Sequence, residues 1–398
     1  MEPLSSLRSC PPVPINLGFV STEEPLDPFA SLGYSSWDGG KVGGKPFNLH
    51  PSSPLRASST LCPCCGGRTQ FLLQIYAPAD DAPHVGGKAF HRMLYVFACP
   101  VPGCSGVKVL RAQAGEDEGH FVEADSEVHG NGGKDDALAH HPDLCAVCGL
   151  KSVPSKRCPK QNRFFCCREH QVEYMKRVTK RLEKGERARD LASVFKEMCI
   201  VVEEDEEGGD DEGVNLEKEL EKMKAMNIKL EEDSPQAPGV GREGEGKGEE
   251  DDFFSEKTEQ KDINELTGSS GVSDSTTIDF LATIGAAKDQ ILRYARWKDE
   301  ATLWTSSQNV PVRASGDIPA CGHCGGERQF EFQVMPQLLH LLNVDDDEAG
   351  VDAKDVVRSA GRFSWGTIAV YTCSNSCEVK DEGMGCYSDE FAWVQPPL

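Results

Sequence analysis

The sequence predicts a β-rich α+β fold. Two copies of one cysteine-pinned β unit pack as a single domain, interrupted by a cysteine-rich finger with a helix and by an acidic linker. Three observations carry this. Most of the 17 cysteines fall in close pairs, one pair-bearing stretch recurs later in the chain, and the net charge of −23 is concentrated between the copies. At 398 residues the chain holds two or three domains of ordinary size.

The N-terminal half, residues 13–130, carries Cys62-Pro-Cys-Cys65-Gly66-Gly67 followed by Gln70-Phe71-Leu-Leu-Gln74-Ile75. The C-terminal half, 278–398, carries Cys321-Gly-His-Cys324-Gly325-Gly326 followed by Gln329-Phe330-Glu-Phe-Gln333-Val334, every matched position 259 residues on (321 − 62). Each copy then reaches an apolar strand ending in a wider pair, Leu94–Cys99 with Cys104 and Ile368–Cys373 with Cys377. The glycines permit the positive φ of a tight turn, and Phe330, Phe332 and Val334 alternate with polar residues as a half-buried strand does. Two close cysteine pairs on adjacent turns supply the four thiolates of a tetrahedral zinc site, so each copy is a zinc-ribbon-like hairpin. The expected ligands are Cys62, Cys65, Cys99 and Cys104, then Cys321, Cys324, Cys373 and Cys377. Cys64 leaves open which two of the first three thiols bind.

Residues 142–200 hold a finger, Cys145-x2-Cys148-x9-Cys158-x7-Cys166-Cys167-x2-His170, with Cys145, Cys148, Cys166 and His170 as a third ligand set. Apolar positions from Val172 to Phe195 at helical spacing predict a helix running to about Ile200. Cys10 and Cys199 have no close partner and are expected to be structural. About three zinc ions per chain follow from four ligands each.

Residues 201–277 are expected to be a disordered linker. Between Glu203 and Asp252 lie 20 acidic and 6 basic residues, a net −14, with too few apolar side chains to offset the entropy of ordering. A short helix is expected at Leu216–Leu230. The C-terminal half opens with a predicted helix over Ile278–Trp297, its buried stripe being Phe280, Leu281, Ile284, Ile291 and Tyr294, and Asp345–Glu348 is expected to be a loop insertion.

The sequence also argues against several activities. Residues 1–16 lack a basic start followed by an apolar run, and no window approaches the ~20 apolar residues of a membrane span, so a soluble, intracellular chain is expected. The negative charge argues against direct nucleic-acid binding. No phosphate-binding loop, dinucleotide fingerprint or HExxH is present, and four-ligand sites leave no open position, so no enzyme is expected. The histidines His84, His91, His120, His129, His140 and His141 have no fixed spacing and are expected to be exposed.

Further motifs carry a family resemblance: Leu17-Gly18-Phe19, Trp37-Asp38-Gly39-Gly40 with Gly43-Gly44-Lys45-Pro46, Leu72 to Pro78, Gln290 to Tyr294, Phe330 to Leu339, and Trp365-Gly-Thr-Ile. Over most of 13–200 and 278–394 the chain resembles the programmed-cell-death-2 family. The central segment, with Phe-Phe-Cys166 and Glu169-His170, resembles the two-zinc MYND finger, which docks proline-containing peptides. Its second site departs from that pattern, since Gln161 stands where a cysteine is needed and the closing His and Cys after His170 are missing. The resemblance implies a duplicated β-sheet module of the TYPP type. It also implies a dedicated chaperone for a basic ribosomal protein of the small subunit, acting in ribosome biogenesis and rRNA processing. The alternative is a nuclear adapter recruiting corepressors through the MYND-type finger. Deleting 142–200 is expected to spare client binding in the first case and abolish function in the second.

Overall fold

The computed structural model describes residues 15–21, 40–50, 53–116, 143–159, 162–183, 195, 197–204, 274–344, 363–378 and 386–397. The expected linker from 205, its helix at Leu216–Leu230, the Asp345–Glu348 insertion, Cys10, and His120, His129, His140 and His141 lie outside the described residues.

In chain order the elements begin with β1 (Asn16–Ser21), β2 (Gly40–Val42), β3 (Gln70–Tyr76), β4 (His91–Ala98) and β5 (Val107–Ala114). The finger supplies β6 (Lys156–Cys158), β7 (Arg163–Phe165) and helix α1 (Arg168–Glu183), followed by β8 (Met198–Glu204) and helix α2 (Ser275–Gly285). Then come β9 (Leu292–Tyr294), β10 (Arg328–Val334), helix α3 (Gln337–Val344), β11 (Thr367–Cys373) and β12 (Tyr387–Gln395). The protein is β-rich, as expected.

Ten strands form one closed barrel in the order β1-β8-β2-β3-β4-β5-β12-β11-β10-β9, and β6 and β7 form a separate hairpin. The two halves meet at two seams: β5 pairs antiparallel with β12 (Ala112↔Tyr387, Val109↔Glu390), and β1 with β9 (Asn16↔Tyr294). The duplication persists in detail. β3 carries a register shift between Phe71 and Leu73, and β10 carries one between Phe330 and Phe332, the corresponding positions.

Strand alternation sorts side chains into two cores. In β4, Leu94, Val96 and Ala98 join Leu72, Val109, Ile200, Leu292, Phe332 and Val370, an interior cluster drawn from strands all round the barrel. The intervening Met93, Tyr95 and Phe97 face outward, where they share a second cluster with Leu49, Leu55 and the finger residues Val147, Leu150, Phe165, Tyr174 and Val178. Backbone bonds join the same surfaces, Ala57 N donating to Lys151 O at 2.8 Å and Lys151 N to Leu55 O at 2.8 Å. The finger is therefore built onto the barrel wall.

Three expectations are corrected. The helix expected to run to about Ile200 is described over Arg168–Glu183, residues 184–194 lie outside the described residues, and Met198–Glu204 form strand β8 instead, because the β-branched run Ile200-Val201-Val202 suits a pleated sheet. Residues 201–204, expected as the start of the linker, are thus part of the barrel. The helix expected over Ile278–Trp297 is only α2, ending at Gly285, while Leu292–Tyr294 pair with both β1 and β10. α2 belongs to a separate compact unit, 206–286, and its N-cap Asp274 accepts a 3.0 Å bond from Thr276 N.

Candidate metal centres

Each cluster starts from one local turn. In the first, Cys62 N donates to Gly67 O (2.8 Å) and Gly66 N to Cys62 O (2.9 Å); in the third, Cys321 N donates to Gly326 O (2.8 Å) and Gly325 N to Cys321 O (2.8 Å). The finger repeats it, with Cys145 N to Leu150 O at 3.0 Å and Gly149 N to Cys145 O at 2.9 Å. The turn requires a left-handed residue after its second cysteine. Gly66, Gly149 and Gly325 supply it with φ of 68°, 69° and 70°.

The returning strands complete the sets. Cys62, Cys65, Cys99 and Cys104 gather at one end of β4, Cys321, Cys324, Cys373 and Cys377 at one end of β11, and Cys145, Cys148, Cys166 and His170 in the finger. In each set all ligand atoms lie within 4.8 Å of one another. Four sulfurs about 2.3 Å from a central ion sit about 3.8 Å apart, which gives a test of fit. Cys62–Cys104 and Cys65–Cys99 are both 3.6 Å, Cys321–Cys377 is 3.6 Å, Cys324–Cys373 is 3.5 Å and Cys148–Cys166 is 3.7 Å. These separations match the edge of a metal tetrahedron and are far from a disulfide bond. The three clusters could each hold a metal ion. Cys64 is exposed and stands outside the first set, while Cys158 and Cys167 are buried in the barrel–finger core.

Thiol acidities diverge within each set. Burial pushes Cys62 up, but backbone N–H groups of Cys65 and Cys64 outweigh it and bring it down to about 7. Cys324 is likewise opposed by burial and brought to about 7 by Gly326 N–H and the Asn375 side chain. Burial raises Cys99 to about 12 and Cys373 to about 11. In the finger, hydrogen bonds from Cys148 and then Cys166 hold Cys145 low, and His170 Nδ1 lies 3.1 Å from Cys166 Sγ.

The third cluster is gripped from behind by side chains that its motif does not announce. Arg328 Nη1 donates to the carbonyls of Pro319 (3.0 Å) and Ala320 (2.8 Å), just before Cys321. Glu390 Oε2 accepts from Cys373 N at 3.0 Å and from Arg328 Nε at 3.2 Å. From the other half, Arg111 donates through Nε to Glu390 (2.7 Å) and through Nη2 to Cys377 O (2.9 Å), and Gln113 Nε2 donates to Ser376 O (3.0 Å). Such outer contacts orient ligands and tune a metal site. A second buried pair crosses the barrel interior, Arg92 on β4 with Glu331 on β10, at 2.5 and 2.8 Å with both side chains fully buried. Sequence reasoning missed all five charged groups. The only local signal was an arginine inside each of two otherwise strand-like runs, 91–98 and 107–114.

The remaining candidates are placed elsewhere. His84 Nε2 lies 2.8 Å from Ser374 O, and His91 Nδ1 lies 3.1 Å from the Tyr76 hydroxyl, so neither joins a cluster. Among the described residues no helix is long and apolar enough to cross a membrane.

Comparison with known proteins gives matches over both halves. The family profile "Programmed cell death protein 2, N-terminal domain" matches residues 14–127, and "Programmed cell death protein 2, C-terminal putative domain" matches 274–396. The chain is similar to "Programmed cell death protein 2" of Rattus norvegicus, at 32% identity over 96% of this chain and 97% of the relative. The Bos taurus protein of that name is 31% identical over 89% and 90%. "Programmed cell death protein 2-like" of Mus musculus is 27% identical over 91% and 92%. No solved structure matches the chain.

Proposed function

The chain belongs to the programmed-cell-death-2 family, and on that premise we propose that it is a zinc-pinned escort for a basic protein of the small ribosomal subunit. The carrying observation is the placement of charge. Of the net −23, the −14 between Glu203 and Asp252 begins within the last two residues of barrel strand β8. A zinc-pinned barrel followed along the chain by an acidic tract suits capture of a client whose basic surface awaits RNA. Complementary charge speeds encounter and masks the client, more strongly at low salt. Zinc is the proposed ion at all three clusters, because soft thiolate donors at tetrahedral spacing favour it. The protein acts as a binder in cytoplasm and nucleus, without catalysis.

A corepressor adapter would present its finger as a free docking module for proline-containing peptides. Here Val147, Leu150, Phe165, Tyr174 and Val178 are instead spent on the barrel wall. That packing also disqualifies deletion of 142–200 as a test, since the cut removes part of the outer core and residues 198–200 of β8. Substituting the finger's exposed valines, Val153 and Val172 (79% and 46% exposed), tests the adapter role without opening the core. Affinity purification of the full chain followed by mass spectrometry tests the escort role. A small-subunit ribosomal protein is expected in near-stoichiometric amount, retained in the Val153→Ser/Val172→Ser variant. Recovery of chromatin factors without any ribosomal protein overturns it.

A further inference from the structure

The finger centre is finished by residues that the finger does not contain. Its first turn, 145–150, leads into Lys151, which bridges Arg56 of the N-terminal half. The Lys45 stem lies against the same turn, so close that a Cβ on Gly149 would come within 2.8 Å of Lys45 Cβ. The second ligand pair, Cys166 and His170, is met by Arg68, whose Nη1 donates to Cys166 Sγ at 3.6 Å. The charge of that guanidinium also acts on Cys167 and Glu169 around the start of α1, and the Lys45 ammonium acts on Cys145 and Cys148. Each thiol of the finger set therefore feels a cation from the barrel. Three thiolates and a neutral imidazole around a divalent ion leave one negative charge in excess, which these cations offset. An N–H donated to a ligating sulfur is an outer contact of the kind worth about 10–100-fold in metal affinity.

Arg68 has a second attachment. It follows Gly67, whose carbonyl accepts from Cys62 N to close the turn of the first cluster, and Leu61 and Arg68 bridge the two ends of that turn. The backbone that aims the guanidinium at Cys166 is thus the backbone that carries Cys62 and Cys65. The third cluster stands apart as an internal control. Three successive antiparallel pairings, β4 with β5, β5 with β12 and β12 with β11, leave β11 running opposite to β4. Cys99 and Cys373, at the C-terminal ends of these strands, therefore lie at opposite ends of the barrel.

We propose that Arg68 couples the first metal centre to the finger centre. Formation of the turn at 62–67 sets its guanidinium against Cys166, so metal held at either cluster strengthens retention at the other. Linkage makes the effect reciprocal. Arg68 acts here as a positioning residue, through the sulfur it holds. The proposal rests on metal binding at both clusters and is independent of any client.

The test uses the full-length, zinc-loaded chain under a chelator, with brief pulses of iodoacetamide and mass spectrometry to read each cysteine separately. In Arg68→Ala the finger thiols Cys145, Cys148 and Cys166 should become reactive about 10–100-fold sooner, while the third set keeps its wild-type rate. Arg68→Lys keeps the charge without the planar fork and should fall between. Cys99→Ser in a Cys64→Ser background removes the first ion from outside the turn, and should speed the finger thiols at least about fivefold. Cobalt(II) in place of zinc gives a second reading, because an N–H on a coordinated sulfur shifts the thiolate-to-cobalt absorption. Arg68→Ala should move that band and Lys88→Ala should not. If Arg68→Ala lowers the unfolding temperature, the band, read well below that temperature, decides. Unchanged finger reactivity, or an equal rise at all three sets with the band unmoved, overturns the proposal. So does a Cys99→Ser chain that holds its finger metal as firmly as the wild type, which makes the centres independent. Elemental analysis that finds no metal at the finger removes the premise and the proposal together, and leaves the escort role to its own test.

Discussion

Glutamine in place of Glu390 removes one negative charge from between two buried guanidiniums. Glu390 is fully buried, and its partners Arg111 and Arg328 are 1% and 8% exposed, at 2.7 and 3.2 Å. Stripping the anion from such a site leaves cations with neither water nor counter-charge, a loss of about 3–5 kcal/mol. Against an ordinary folding stability of about 5–15 kcal/mol this is a large share. The same seam contains a control. Lys108 and Asp389 lie 2.7 Å apart with side chains 19% and 43% exposed, and screening limits such a pair to about 1 kcal/mol or less. Urea unfolding of both variants at fixed free zinc measures the difference. Because Glu390 also holds Cys373 N–H, chelator competition should release metal from the third cluster roughly 10–100-fold more readily, with the first unaffected. If Glu390→Gln costs no more than Lys108→Ala and metal release is unchanged, the buried network does not hold this seam.

Three further outcomes are expected. Elemental analysis should find the full metal complement in Cys64→Ser and one ion fewer in Cys62→Ser, because only Cys62 lies in the cluster. Gly106→Ala would drive its Cβ against Cys62 Sγ, so the first metal should be lost and stability lowered by about 1–3 kcal/mol, read by elemental analysis and thermal unfolding. The third concerns acid: burial raises Glu331, but the Arg92 guanidinium and its hydrogen bonds outweigh this and hold the carboxyl below its usual range. A depressed carboxyl contributes its stability above the unfolded-state pKa and loses it as pH falls through the lower folded value. The difference in stability between wild type and Glu331→Gln should therefore shrink below roughly pH 5, and a difference that grows on acidification contradicts the pairing.

The grouping of the cysteines was legible because a tetrahedral site would impose local spacing. Two thiols on one turn are three residues apart wherever the turn occurs, and Gly66 and Gly325 mark the turn itself. The duplication was legible for the same reason, whereas the shared irregularity at Phe71 and Phe330 appears only in the strand pairing. The barrel's closure was not. β8 enters between β1 and β2 from beyond the finger, and its apolar run begins where a helical pattern seemed to continue. Ile291 and Tyr294 sit three residues apart, a spacing that a helix and a twisted strand can both use, and only pairing with Gly18 and Phe332 decides between them. The buried charges were hidden by distance along the chain. Arg92 and Glu331 are 239 residues apart, Arg111 and Glu390 are 279 apart, and no local pattern links them.

The order in which the staves were laid has a consequence for manufacture. β1 lies between two neighbours that the ribosome makes more than 170 residues later, and the last stave, Tyr387–Gln395, is the one that seals β5. During translation the early cysteine cluster is complete once Cys104 has been made, but the ring stays open until Tyr387–Gln395 has been made. A transcript cut short anywhere before codon 387 therefore yields a vessel with a gap beside β5 rather than a smaller working version. Truncating alleles that fall before that codon should behave as complete losses, cleared by proteolysis.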